Sequence, residues 1–354
     1  MFSANFNSNQ RSTRLLRKRQ LLSMDIIYKA QPYVDVIGKN QYTYGLDFIQ
    51  NGKPFTGAYD INVKKDFPFT ITGSNHPDVQ LWQYLGGTAS STTINAMNTF
   101  CNTIDSNGLR NKFYRLNLFC GNNLNSCLIP LYNSSHWINP TYGFSKDINY
   151  NFVESDYVET GSNAGLTSSG ADVVQQNVGS KYLDLGIVAS IINPIGLVPT
   201  NMHLSASISC TPVSANATNI FYNTFNYSDF YALGIQLLSG NANIRGTIGS
   251  QTVNSTITPV STGFVPLNYY ITSRIANNDS RNYQNGTQIG STNTTIATTI
   301  MSNGLPSFLM YRQTAGYYGN MRITNYSIGL GLNSSEASIV SSAIAAFNTA
   351  LNRS

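Results

Sequence analysis

The stretch Lys181-Tyr182-Leu183-Asp184-Leu185-Gly186 alternates polar and apolar side chains. In an extended chain this puts Tyr182 and Asp184 on one face and Leu183 and Leu185 on the other, the pattern of a half-buried strand. Leu183 and Leu185 are therefore core candidates, and Ile323, Ile328 and Leu330 join them. The composition agrees with a sheet protein. Only 10% of the 354 residues are charged, while Gly numbers 28, Tyr 22 and Phe 17, with Asn, Ser and Thr filling much of the rest. Such a chain disfavours a helical bundle, a coiled coil or a charged disordered segment, and suits strands joined by many turns. The length is ample for one large β-domain with an attached segment.

The formal net charge is +5, yet Arg11, Arg14, Arg17, Lys18 and Arg19 supply five positive charges within nine residues. Outside that cluster the chain is close to neutral, so no nucleic-acid partner is expected. Residues 1–24 read as a basic N-terminal arm. Leu15-Leu16 and Leu21-Leu22 are split by Arg17-Lys18-Arg19-Gln20, so this segment lacks the apolar run of a secretory leader. The apolar stretch from Ile187 to Val198 is short and broken by Pro194 and Gly196, so no membrane-spanning helix is expected.

Residues 25–89 read as a β-hairpin docking module. Asn51-Gly52 between Phe48-Ile49 and Phe55 is a hairpin signal, because a type I′ turn needs positive φ at both central residues. Pro54-Phe-Thr-Gly57 and Pro68-Phe-Thr-Ile-Thr-Gly73 form two related half-copies. Residues 90–127 read as one helix and a linker, with Ile94, Met97, Cys101 and Ile104 at helical spacing and Asn107-Gly108 as the stop. From Arg115 onward the chain returns to strands and loops, and residues 128–354 end in a helix of at most about 18 residues, entered through the capping box Asn333-Ser-Ser-Glu336 and closed by Arg353.

Four motifs in the second half occur in fixed order: Gly165-Leu-Thr-Ser-Ser-Gly170, Lys181-Tyr-Leu-Asp-Leu-Gly186, Ser273-Arg274 with Tyr283-Gln-Asn-Gly286, and Ile328-Gly-Leu-Gly-Leu-Asn-Ser-Ser-Glu336 with Ala343 to Arg353. Together they resemble the concanavalin A-like (laminin G-like) β-sandwich of structural proteins of tailed-phage virions, over about residues 90–354. The resemblance implies a mainly β protein: a concanavalin A-like antiparallel β-sandwich (jelly roll) with an N-terminal β-hairpin docking module, one linking helix and a C-terminal helix. It implies a non-enzymatic accessory protein of a bacteriophage virion, as capsid decoration, head fibre or tail-associated component. Its partners would be other virion proteins of the capsid, neck or tail, further copies of itself, and host-surface glycans. A carbohydrate-binding adhesion module is the alternative reading. The chain departs from the pattern at residues 170–180, which lengthen a short turn, an insertion that a surface loop absorbs cheaply.

Within these motifs, Tyr283-Gln-Asn-Gly286 reads as a tight turn and Arg274 as a donor to loop carbonyls or a partner for a scarce acid. The sharpest enzymatic pattern is Glu154-Ser-Asp156-Tyr-Val-Glu159, which has the Glu-x-Asp-x-x-Glu spacing of sandwich-fold glucanases. Three readings stand for it: a retaining glycosidase, a cation site, and a solvated strand or loop. Ser155 between the first two acids, and the position of Trp82 and Trp137 before the segment, favour the last. Cys101, Cys120, Cys127 and Cys210 lack paired spacing and His76, His136 and His203 are scattered, so free thiols and no zinc site are expected. No cofactor is expected either, since Gly329-Leu-Gly331 lacks the Lys or third Gly of a nucleotide loop.

Overall fold

The computed structural model describes residues 47–50, 53–56, 74–133, 146–168, 181–185, 200–210, 218–224, 230–238, 241–248, 251–256, 265–294, 309–310 and 321–354. The basic arm at 1–24, the turn insertion at 170–180, the apolar stretch at 187–198, His136 and Trp137 lie outside these residues. The chain divides into two compact units, Met1–Thr72 and Gly73–Ser354. In the first, β1 (Asp47–Gln50) and β2 (Lys53–Thr56) pair antiparallel with Gln50 opposite Lys53, the register a two-residue Asn-Gly connection requires.

In the second unit, α1 (Pro77–Tyr84) and α2 (Ser91–Ser106) precede β3 (Phe113–Asn117), the short α3 (Leu124–Cys127), β4 (Tyr132–Asn133) and β5 (Ile148–Tyr150). Next come β6 (Tyr157–Val158), β7 (Gly165–Ser168), β8 (Tyr182–Asp184), β9 (Met202–Cys210), β10 (Thr218–Thr224), β11 (Phe230–Leu238), β12 (Asn241–Ile248) and β13 (Gln251–Thr256). The chain closes with β14 (Val265–Ala276), β15 (Asp279–Gln284), β16 (Thr287–Asn293), β17 (Leu309–Met310), β18 (Met321–Gly329) and α4 (Ser334–Ala350). Among the described residues these strands form a seven-stranded sheet, β13-β12-β11-β10-β17-β8-β5, and a nine-stranded sheet built on β16-β15-β14-β9-β18-β3-β4, with β7 attached to β18 and β6 to β7. All described pairings are antiparallel.

The two sheets face each other across one core that takes Leu183 and Leu185, Leu204, Ala206 and Ile208, Leu233, Ile235, Ile244, Tyr270, Ile323 and Ile328. Leu330 packs against it only half-buried. The outer face of the nine-stranded sheet carries a second core. There Phe113, Leu116, Tyr269, Ile271 and Tyr283 meet Trp82 of α1, Met97, Phe100, Cys101 and Ile104 of α2, and Val340, Ile344 and Phe347 of α4. The second unit is thus a β-sandwich with a third, helical layer, and β9 and most of β18 are buried on both faces. Tyr269 and Tyr270 show the pleat directly, one entering each core.

The helices begin where side-chain oxygens replace missing backbone partners. Ser90 accepts from the Thr93 amide at the start of α2, and Asn333 and Glu336 form a reciprocal capping box at α4. Asn107 and Gly108, the latter at φ 67°, end α2 at the expected stop. Gly329 ends β18 where its backbone presses on the Lys112 carbonyl, a gap that a Cβ would close.

Three expectations need correction. The hairpin module does not run to residue 89, because α1 packs on α2 and belongs to the sandwich unit, which begins at Gly73. Residues 90–127 are not a linker with one helix: β3 within them is a strand of the nine-stranded sheet, and its burial on both faces explains its weak alternation. Arg353 does not close α4 either. The helix ends at Ala350, and Arg353 turns inward to donate from Nη1 to the Leu118 and Thr324 carbonyls, from Nη2 to that of Phe119 and from Nε to that of Glu159, at 2.8–3.2 Å.

One buried ion pair ties the two sheets. Arg115 of β3 and Asp147, the residue before β5, are both fully buried, with Nη2 and Nε of the guanidinium 2.6 and 3.1 Å from Oδ1. The Tyr326 hydroxyl donates to the same oxygen at 2.6 Å, and Asn117 donates to Oδ2 at 2.8 Å. Removing one member leaves an uncompensated buried charge, which costs roughly 3–5 kcal/mol. Asp147→Leu is therefore expected to lower the unfolding free energy by about that much in urea titrations, and Arg115→Met with Asp147→Leu to recover part of it. Equal stabilities of wild type and the single variant would refute this role.

Candidate functional site: an aromatic step at the sheet edge

The Arg115–Asp147 pair fixes the start of β5, the last strand of the seven-stranded sheet. Beyond β5, Asn149 folds the chain back on itself, accepting from the Phe152 amide and donating to the Phe152 carbonyl, both at 2.9 Å. Asn151 takes a positive φ of 67°, which a short amide side chain tolerates. Phe152 then plugs into the sandwich core. This geometry leaves Tyr150 at the sheet edge, directly opposite Tyr182 of β8. The two rings stack at a centroid distance of 4.2 Å and an interplanar angle of 8°. Tyr182 covers one face of the Tyr150 ring, and Tyr150 is 38% exposed. Val153 and Val158 are exposed in the same short segment, so three of the four large exposed apolar side chains among the described residues fall between positions 150 and 158. The Lys181 ammonium, 2.9 Å from Asp156, lies next in sequence to Tyr182.

The three candidate acids do not converge. They sit on a 3₁₀ turn, Glu154–Asp156, and on the residues after it, rather than on a bulged strand. Glu154 accepts from the Leu124 amide at 3.0 and 3.1 Å and so caps α3. Asp156 accepts from the Val153 amide at 2.7 Å and pairs with Lys181. Glu159 accepts from the Thr93 hydroxyl at 2.8 Å and the Gly121 amide at 2.9 Å. Each carboxylate thus ties this loop to a different element, an arrangement unlike two carboxyl groups facing one scissile bond.

The remaining sequence candidates are structural. Asn285 and Gly286 have φ of 49° and 81°, as a primed turn requires, and Tyr283 is fully buried. Arg274 donates to the carbonyls of Ala276, Ile248 and Asn277. All four cysteines are free and buried, and burial pushes the Cys120 and Cys210 thiols up to about 12. A shallow groove between α2 and α4, about 310 Å³, is lined by Thr92, Thr99, Thr103, Ala343, Ala346 and Phe347. Thr99 and Thr103 bond their hydroxyls to carbonyls of the helix itself, so the groove offers few polar groups to a ligand.

Sequence reasoning missed two associations. Tyr150 and Tyr182 are 32 positions apart, and only strand register makes them neighbours. His76, Asp78 and Cys101 come together although no short spacing links His76 to Cys101: their ligand atoms all lie within 4.8 Å of one another, fully enclosed. A histidine two residues before an acid, with a cysteine on the buried face of the next helix, was the only signal present.

No family model matches the chain, and no curated protein matches it. Among solved structures it is similar to the sialidase of Trypanosoma rangeli in complex with a difluoro-KDN ligand, at 11% identity over 70% of this chain and 39% of that one, with a TM-score of 0.42. It is also similar to a botulinum neurotoxin type C structure whose title concerns interaction with two gangliosides, at 13% identity over 48% and 41% of the two chains, TM-score 0.35. A heptameric SAP-like pentraxin from Limulus polyphemus matches at 12% over 39% and 68%, TM-score 0.31. The matched region spans less than half of the sialidase and neurotoxin chains, and at these scores none of these proteins bears on what this chain does.

His203 lies in the helix-facing side of the sheet, its Nδ1 2.7 Å from the Leu330 carbonyl and its Nε2 2.8 Å from Ser327 Oγ. Ser327 continues to Ser205 at 2.5 Å, which accepts from the Tyr269 hydroxyl at 2.8 Å. This Ser–His pair is sealed from solvent. Burial pushes the imidazole down to about 4, against the pull of the Leu330 carbonyl. The folded protein therefore holds a neutral ring while the unfolded chain binds a proton below about pH 6.5. Stability from this residue is complete above pH 6.5, is lost as the pH falls from 6.5 to 4, and amounts to about 3 kcal/mol. Urea midpoints at pH 7 and pH 4 should fall less in His203→Gln than in wild type, and identical pH slopes would refute the assignment.

Proposed function

We propose that this chain is a non-catalytic, glycan-contacting β-sandwich displayed by a bacteriophage-type virion. The observation that carries the binding half is the Tyr150–Tyr182 stack, a preset aromatic surface at a sheet edge beside exposed Val153 and the polar side chains of Lys181 and Asp156. A pyranose ring presents an apolar face of C–H groups to such a surface and its hydroxyls to neighbouring polar groups. The rigid stack leaves little side-chain entropy to lose on binding. The non-catalytic half is supported by Glu154, Asp156 and Glu159, each engaged in holding the loop. The virion half is supported by the ordered motifs of residues 165–353 and by the separate N-terminal unit. Many copies on a particle would turn weak single-site binding into firm attachment.

On a glycan array the full chain, clustered on beads, should be retained by a subset of neutral sugars, and Tyr150→Ala should abolish retention. An exposed cross-strand pair contributes roughly 0.2–1 kcal/mol, so the variant remains folded. Retention that is unchanged in Tyr150→Ala removes the platform from the reading. Release of reducing sugar from any bound glycan by wild type, and its loss in Glu154→Gln, would replace the reading with an enzymatic one. For the virion half, mass spectrometry of purified particles should find the chain in stoichiometric ratio to the major capsid protein. Deletion of residues 1–24 should abolish its incorporation.

A further inference from the structure

The nexus of α1, α2 and β4 buries an ionic cluster that the rim function does not use. His76 caps α1, its Nδ1 accepting from the Asp78 amide at 3.2 Å and standing 3.7 Å from Asp78 Oδ2. Its Nε2 is 3.1 Å from Asp105 Oδ2. With Nδ1 accepting, Nε2 carries the hydrogen and donates to that carboxylate. Asp78 also receives a two-pronged fork from Arg110, Nε to Oδ2 and Nη2 to Oδ1, both at 3.1 Å. The same guanidinium lies 3.9 Å from the Tyr132 ring centroid. Cys101 of α2 completes the group. The Tyr132 hydroxyl is fully buried against this thiol and makes no conventional hydrogen bond, and Asp105 Oδ1 is buried without a partner.

We propose that His76 Nδ1, the Asp78 carboxylate and Cys101 Sγ bind a thiophilic divalent cation of the zinc class, with the Tyr132 hydroxyl aimed at the remaining position. Three observations support it beyond proximity. The Nε2–H bond to Asp105 is the carboxylate–histidine relay that orients a metal-binding imidazole and raises its basicity. The Arg110 fork uses one lone pair on each Asp78 oxygen and leaves the others for a metal. The formal charges also favour it. Arg110 pairs with Asp78 and Asp105 bonds the imidazole, so a divalent cation bound by a Cys101 thiolate adds one net positive charge beside two carboxylates. As the sulfur–metal bond forms, the thiol proton leaves to solvent, and the Nδ1 lone pair moves from the Asp78 amide to the metal. Ligands of a tetrahedral zinc stand about 3.5 Å apart; His76 Nδ1 and Asp78 Oδ2 are already 3.7 Å apart, so the sulfur draws in by at most about 1 Å.

The full chain, unfolded in urea with a chelator and refolded with Co²⁺, tests this. One cobalt per chain should bind and give the charge-transfer absorption of a thiolate–cobalt bond, which Zn²⁺ then bleaches. Cys101→Ser should lose the charge-transfer band while Cys120→Ser and Cys127→Ser keep it. His76→Asn keeps a good N-cap for α1, so its fold is retained and its cobalt affinity should fall tenfold or more. Asp105→Asn should weaken binding about 10- to 100-fold. A wild-type chain with native circular dichroism that binds no cobalt at millimolar concentration overturns the proposal, as does a band that survives in Cys101→Ser.

Discussion

The buried pair between Arg115 and Asp147 is the constraint around which this molecule is arranged. It joins a strand of the nine-stranded sheet to the residue that opens the edge strand of the opposite sheet. Tyr326 and Asn117 complete the coordination of Asp147, so the carboxylate is held by the sheet centre as well as its margin. A buried ion pair brings little net stability over a packed apolar substitute, but it rejects alternative registers, because a one-residue slip would strand a charge. In a chain with only 16 acids, using one this way is a commitment to a single alignment of the sheets.

The edge step depends on that alignment. β5 is three residues long and has little pairing energy of its own. Asp147 fixes its beginning and Phe152 its end, and between them Tyr150 has one place to go, against Tyr182. The acids that follow extend the same scaffold to α2, α3 and Lys181. The loop that resembles a glucanase strand by spacing is therefore a brace for the edge.

The helical layer explains why the sandwich tolerates so many polar residues inside. Strand β9 presents Leu204, Ala206 and Ile208 to one core and His203, Ser205 and Ser207 to the other side, where hydroxyls and an imidazole satisfy one another. A buried polar ladder of this kind is stable only when every member has a partner. Arg353 plays a matching part at the chain end, gathering four carbonyls left open where β3, β18 and the acidic loop meet.

Much of the architecture was legible in the sequence, for a local reason. Alternation at 182–185, the Asn285-Gly286 turn, the Asn333 capping box and the stop at Asn107-Gly108 each depend on residues a few positions apart, and each appears where the chain placed it. Helix α1 was hidden, because an eight-residue helix has little periodicity to show, and β3 showed only as a return to strands from Arg115, because burial on both faces erases alternation. The sites were hidden more deeply. Tyr150 meets Tyr182, His76 meets Cys101, and Glu154, Asp156 and Glu159 part company only through pairing register and layer packing, which bring together residues from about 25 to more than 200 positions apart. The sequence by itself determined the alternating strand at 182–185, the turns and the caps, since those follow from backbone preference and local hydrogen bonding. Tertiary structure alone decided which side chains share a surface or a buried cluster, since that follows from how the sheets align around one charged pair.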